Sequence, residues 1–165
     1  IGEQKGFVNP PNNWSRQSIF SLSYGYEITA NILQLARAFA LIFNGGYLVT
    51  PRLVLTSNTN NLSNSAPLYK QETLLKLQDI LSKEPIQDYK LYGKTGTANL
   101  LINGLYDPDR NTYTYTGIIE KDNFKKVIVL FVKESNKKDI YASMVAEPIF
   151  RNIAHQMVVK NKLGK

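Results

Sequence analysis

The apolar positions of the chain fall into a few periodic runs separated by polar punctuation, and the period of each run predicts its element. From Thr29 to about Phe43, the residues Ile32, Leu33, Leu35, Ala36, Phe39, Ala40 and Phe43 recur at helical spacing. Thr29 is a suitable cap for that helix, and Asn44-Gly45-Gly46 is a suitable stop, because glycine enters the left-handed conformation without steric cost. A second helix is predicted over Gln71 to Ser82, with Leu74, Leu75, Leu77, Ile80 and Leu81 facing the core and Pro85 beyond its end. A third runs from about Ala142 to Val159 and buries Val145, Ile149, Phe150, Ile153 and Met157, with Pro148 in its early turns.

Between the last two helices the period shortens to that of strands. Asp88 to Leu100 reads as one strand, and Asn103-Gly104 with Asp107-Pro108-Asp109 reads as a long loop after it. Thr112 to Thr116 alternates as a half-buried strand does, and a turn at Glu120 to Asn123 follows. Lys126 to Val132 is an unbroken apolar run after its lysine, which predicts a central strand covered on both faces. The three strands form an antiparallel meander, so the fold class is α/β of the α+β kind, an antiparallel sheet flanked by helices. Elsewhere, Tyr47 to Leu55 reads as a short strand pair bent at Pro51, and Thr56 to Ser65 as surface loop. Residues 1–18 read as irregular, anchored by Trp14, and Ile19 to Tyr26 runs apolar and polar by turns.

The densest chemistry lies on the first of these strands, in Tyr92-Gly93-Lys94-Thr95-Gly96-Thr97-Ala98. Side chains alternate on a strand, so Thr95 and Thr97 share one face while Lys94 and Gly96 take the other. Two hydroxyls beside the unpaired N–H groups of an edge strand suit a carboxylate or a developing oxyanion. Lys94 adds positive charge, and Gly96 marks a place where a backbone or a ligand comes close. An ordinary threonine-rich edge strand is the plainer reading of the same residues.

Composition narrows the chemistry. At 165 residues, with 43% hydrophobic and 20% charged, the chain suffices for one domain with a core, or for half of a larger one. A net charge of +7 favours anionic surroundings such as membrane surfaces or wall polymers. No basic stripe interleaves with aromatics, so no nucleic-acid partner is expected. With no cysteine and only His155, there is no thiolate or histidine-cluster metal site, and any activated nucleophile would have lysine as its likelier base. No metal or cofactor is expected. No stretch approaches the apolar length of a membrane span.

Lys94-Thr95-Gly96-Thr97 resembles the Lys-Thr-Gly box of penicillin-binding proteins and class A β-lactamases. The likeness extends to Trp14-Ser15, Ser21 to Thr29, Leu33 to Ala38, Asn44-Gly45-Gly46 and Pro51 to Val54. It continues at Tyr115-Thr116-Gly117, the apolar strand at 127–132, and Ala142 through Phe150. In order, these segments resemble the second half of class B penicillin-binding transpeptidases, with division-type enzymes nearest. The resemblance implies that 1–165 is the C-terminal portion of a single transpeptidase domain, an incomplete fold of the serine β-lactamase and penicillin-binding transpeptidase kind.

It further implies a serine acyl-enzyme that cross-links peptidoglycan stem peptides ending in D-Ala-D-Ala and is acylated by β-lactams. On this sequence Lys94 would join the polar network around the nucleophile. The hydroxyls of Thr95 and Thr97 would bind the terminal carboxylate, beside Gly96, and the Thr97 N–H would be one oxyanion donor. The family also implies an extracytoplasmic (periplasmic) domain, anchored by an N-terminal helix absent from this chain, with a membrane glycosyltransferase and other divisome proteins as partners.

Two family motifs that should precede the box, Ser-x-x-Lys and Ser-x-Asn, do not occur before it. The one Ser-x-x-Lys, Ser135-Asn136-Lys137-Lys138, follows the box in a charged turn and reads as accidental. Glu27 stands where glycine is common in the family, and Ala30 where proline often begins the helix. A standalone, non-catalytic binding or scaffold module of a wall-synthesis complex is the alternative reading. A β-lactamase or D,D-carboxypeptidase is disfavoured by the segment from Trp14 to Val54. Tyr113 and Tyr115 read as sheet-packing aromatics, Ser23 to Tyr26 as a turn in preference to a lining of the active-site cleft, His155 as a solvated residue and Glu147 as first-turn helix chemistry. Arg37 and Arg52 read as structural or rim residues.

Overall fold

The computed structural model describes residues 4–54, 66–86, 88–134 and 140–163. In chain order its elements are β1 (Phe7–Val8), a 3-10 turn (Pro11–Asn13), α1 (Ser18–Ser23), β2 (Ile28–Thr29), α2 (Ile32–Phe43) and α3 (Gln71–Leu81). They continue with β3 (Lys90–Ile102), β4 (Leu105–Lys121), β5 (Phe124–Lys133) and α4 (Ala142–Val159). The main sheet is an antiparallel meander in the order β3-β4-β5, and β1 pairs with β2 separately.

The expected meander and helices are present, with several corrections. The central strand is β4 and not the apolar run at 127–132, which lies in β5 at the edge of the sheet. Tyr115, Ile118 and Ile119 are almost wholly buried, while Val127 to Leu130 are only half-buried. The expected loop at 107–109 belongs to β4. Asn103 and Gly104 both have positive φ, the geometry that closes a tight two-residue hairpin. The register then jumps from Leu100↔Asp107 to Asn99↔Asn111, so residues 108–110 bulge out of the ladder and Pro108 needs no pairing there.

Thr29 does not cap α2. It pairs with Phe7 in β2, and Asn31 caps the helix in a reciprocal box with Gln34. Asn31 Oδ1 accepts from the Gln34 N–H at 2.7 Å, and Gln34 Oε1 accepts from the Asn31 N–H at 2.9 Å. Of the expected apolar face, Phe43 is buried, but Ile32 and Leu33 are 53% and 41% exposed, and Leu41 is buried instead. The stop at Gly45 and Gly46, both at positive φ, is as expected. On α3, Leu74 and Leu81 face inward, whereas Leu75 and Ile80 are exposed. On α4 the seat is made by Ala142, Ala146, Phe150 and Ala154; Val145, Ile153 and Met157 are half-buried and Ile149 is exposed. Residues 47–54 form no strand, and α1 occupies a segment read as alternating. The loop expected at 56–65 and the tetrad at 135–138 lie outside the described residues. His155 is exposed, as expected.

Two cores sandwich β4. On one face Leu91, Tyr115 and Ile119 pack against Ala146, Phe150 and Ala154 of α4. On the other, Ile118 packs with Phe43 of α2 and Leu81 of α3, with Tyr92 and Val127 at the margin. Gly117 sets how closely α4 approaches. A Cβ there would stand 2.5 Å from Phe150 Cζ and 2.8 Å from the Tyr92 carbonyl oxygen, closer than packed atoms tolerate.

Glu27 has φ 59, a left-handed conformation that glycine adopts without steric cost, and its carboxylate accepts from the buried Ser18 hydroxyl at 2.7 Å. Among the described residues no helix is long and apolar enough to cross a membrane.

Gly117→Ala should destabilise the fold by about 2 kcal/mol, because Phe150 and the β3 backbone must both move to admit one methyl group. Urea unfolding read by circular dichroism checks this, and an unchanged midpoint would contradict the proposed seat of α4.

Candidate functional site

The Lys94 to Thr97 segment lies on β3, an edge strand, as the alternation of its residues led us to expect. The Leu91 carbonyl accepts from the Lys83 N–H at 2.9 Å, away from β4, whereas the Gly96 carbonyl accepts from Thr114 Oγ1 at 3.2 Å on the β4 side. Strand alternation therefore turns the N–H groups of Gly93, Thr95 and Thr97 to the outer edge. Lys94 Nζ donates to the Thr95 carbonyl at 2.8 Å, which lays a positive charge along that same edge.

Thr95 and Thr97 share the face covered by α4, beside the cross-strand residues Tyr115 and Tyr113. Thr97 is exposed and Thr95 half-buried. The Thr97 hydroxyl oxygen accepts from the Ala142 N–H, the first of α4, at 2.9 Å. Gly96 has a nearer explanation than a ligand, since a Cβ there would run into the Thr114 hydroxyl. Gly93 leaves room for the Tyr115 phenol in the same way.

At the far end of the segment, Tyr26 Oη donates to Asn99 Oδ1 at 3.3 Å. Tyr24, Tyr26 and Tyr106 form an edge-to-face chain with centroid spacings of 5.6 and 5.4 Å. Gly25, at φ 96, makes the expected turn, yet the same turn brings Tyr26 to the strand that carries the box. No periodicity joins residues that far apart, so the sequence does not name Asn99 as the partner of Tyr26 or Ala142 as that of Thr97. Glu147 is not in the first turn of α4; it lies in the second and pairs with Arg151 at 2.9 Å. Arg37 is structural, with Nε donating to the Val49 carbonyl at 2.9 Å. Tyr113 and Tyr115 are core aromatics, as expected. Among the described residues no group of three His, Cys, Asp or Glu side chains is disposed to hold a metal ion.

Beneath the site, the Tyr115 ring packs on Phe150 at 4.6 Å, and its hydroxyl has no hydrogen-bond partner. Burial, reinforced by the Glu147 carboxylate and opposed by Arg151, pushes this phenol up to about 12 from an ordinary 10.0. Burial and neighbouring Glu120 likewise push Tyr92 up to about 12.

An antiparallel meander with helices on both faces and this box on its open edge has counterparts among penicillin-binding proteins of known structure. The apo transpeptidase domain of Burkholderia pseudomallei penicillin-binding protein 3 matches 96% of the chain with TM-score 0.78 and 23% identity, over 50% of its own length. Mycobacterium tuberculosis penicillin-binding protein 3, solved with aztreonam, matches 98% with TM-score 0.73 and 24% identity, over 42% of its length. Those identities establish the fold. The chain belongs to the penicillin binding protein transpeptidase domain family, whose model matches residues 1–155.

Among curated relatives, the peptidoglycan D,D-transpeptidase FtsI of Buchnera aphidicola is 28% identical over 98% of the chain and 30% of its own length. A probable peptidoglycan D,D-transpeptidase PenA of Neisseria flavescens is 23% identical over 92% of the chain and 40% of its own length. The chain thus spans well under half the length of these relatives.

The folded protein keeps the Tyr115 proton between pH 10 and 12, where the unfolded chain has released it, so this phenol leaves stability independent of pH below 10 and lowers it as pH rises from 10 to 12. Tyr115→Phe should leave stability at neutral pH unchanged or higher, because it removes an unpaired buried hydroxyl. It should also reduce the loss between pH 10 and 12 by about 2 kcal/mol. Urea midpoints across that range check it, and a variant that weakens as steeply as the parent would contradict the assignment.

Proposed function

We propose that the chain forms one wall of the acyl-enzyme site of a peptidoglycan D,D-transpeptidase of the division type. The observation that carries this reading is the outer edge of β3, where the Thr97 N–H faces away from the sheet and the Thr95 and Thr97 side chains share one face. In this account the two hydroxyls bind the terminal carboxylate of a D-Ala-D-Ala stem peptide or of a β-lactam. The Thr97 N–H stabilises the oxyanion as the serine Oγ adds to the carbonyl. Lys94 belongs to the polar network around that serine.

The serine and its lysine base belong to a part of the longer protein outside this chain. The sequence has no Ser-x-x-Lys or Ser-x-Asn before the box, and the chain covers 30% of the FtsI relative. Acylation expels D-Ala, and the amine of a second stem peptide then takes the acyl group and releases the serine. Such a substrate places the domain on the extracytoplasmic side of a bacterial membrane, alongside a glycosyltransferase that makes the glycan strands. The names of the relatives and the aztreonam complex of a structural neighbour support the substrate class.

Incubation of the full-length protein with a penicillin should give one acyl adduct by intact mass, and the 165-residue chain alone should give none. Thr97→Val in the full-length protein should slow acylation about tenfold, the loss of one hydrogen bond to a charged group. An adduct on the isolated chain, or an unchanged rate in Thr97→Val, would contradict this account. A full-length protein that no penicillin acylates would favour a non-catalytic scaffold module.

A further inference from the structure

Helix α4 takes no side-chain cap from Tyr141 and has no acidic residue in its first turn. The N–H of Met144 is bonded to the Tyr141 carbonyl at 2.9 Å. The first N–H, that of the wholly buried Ala142, is instead satisfied from a distant part of the chain, by Thr97 Oγ1 at 2.9 Å. A buried helix-terminal N–H without a partner would be costly, so this bond holds the threonine as firmly as it holds the helix.

The direction of the bond has a chemical consequence. A hydroxyl has one proton and two lone pairs, and here a lone pair is occupied by Ala142. The proton is then available for donation, and the partial positive charge of the α4 terminus lies behind the oxygen, which strengthens the hydroxyl as a donor to an anion.

We propose that the Ala142 backbone N–H is a positioning group for the site, fixing the Thr97 rotamer so that its hydroxyl donates to the ligand carboxylate. The inference rests on the transpeptidase reading above and adds to it a dependence of carboxylate recognition on the seat of α4. Since Ala142 is the first residue of the helix, its own side chain has no part in the contact; the N–H alone matters.

That position allows a clean removal. Proline is favoured at the first helical residue and requires an extended residue before it, and Tyr141 at φ −112 and ψ 162 is extended. Ala142→Pro deletes the N–H and puts a ring carbon along the direction of the lost hydrogen, too close to the threonine oxygen, which turns the hydroxyl away. Replacement of Ala142 by lactic acid, which exchanges the N–H for an ester oxygen at nearly constant shape, is the second variant should the proline protein fail to fold.

The experiment measures acylation of the full-length protein by a penicillin and by its methyl ester, in the parent, the residue-142 variant, Thr97→Val and the double variant. The ratio of the two rates reports carboxylate recognition and cancels a general loss of folded protein. The parent ratio should fall about tenfold in the residue-142 variant. It should fall to a similar value in Thr97→Val, and no further in the double variant. An unchanged ratio, or equal slowing of acid and ester, would overturn the positioning role while leaving the transpeptidase reading intact. A parent protein acylated by neither compound would overturn that reading and this one with it.

Discussion

The burial of β4 on both faces is the constraint from which the rest of the structure follows. Tyr115 and Ile119 face α4, Ile118 faces α2 and α3, and each of these side chains is at most 1% exposed. Helices can lie so close to the strand because Gly93 and Gly117 leave space that the Tyr115 and Phe150 rings fill. With the centre of the sheet closed in this way, β3 becomes an edge, and an edge strand always offers unpaired donors. The site is therefore a by-product of the packing order, enriched by what its sequence places there.

The chemistry at that edge depends on a few alternations. Every second N–H of β3 turns outward, the two threonines share the face of α4, and Lys94 crosses to the Thr95 carbonyl. Thr97 is where the core and the edge meet, because its oxygen also ends the hydrogen bonding of α4. The phenol of Tyr115, unpaired and hard to ionise, is a cost accepted under the site rather than a participant in it.

Much of this was legible along the chain. The bounds of α3 and α4, the meander and the exposed box could be read from period and turn residues, because each is a local property of a few consecutive positions. The centre of the sheet was misread. β5 presents a long aliphatic run, whereas the buried stretch of β4 mixes Tyr113, Tyr115, Thr116 and Gly117 with only two aliphatic residues, Ile118 and Ile119, so its burial does not show as an apolar run. The Asp107-Pro108-Asp109 stretch looked like loop because the hairpin leaves the core there, and its bulge removes the need for pairing. Exposure of Ile32 and Leu33 could not be foreseen either, since periodicity reports a face and not what covers it. The contact of Thr97 with Ala142 spans 45 positions and involves a backbone N–H, for which no residue type is a signal.

The central claim is that the outer edge of β3 receives the acyl group and its carboxylate. A crystal structure of the full-length protein after reaction with a penicillin tests it most directly. The account predicts the Thr97 amide nitrogen about 3 Å from the acyl carbonyl oxygen and the hydroxyls of Thr95 and Thr97 at similar distance from the carboxylate. A bound acyl group whose carbonyl and carboxylate point away from this strand would contradict it.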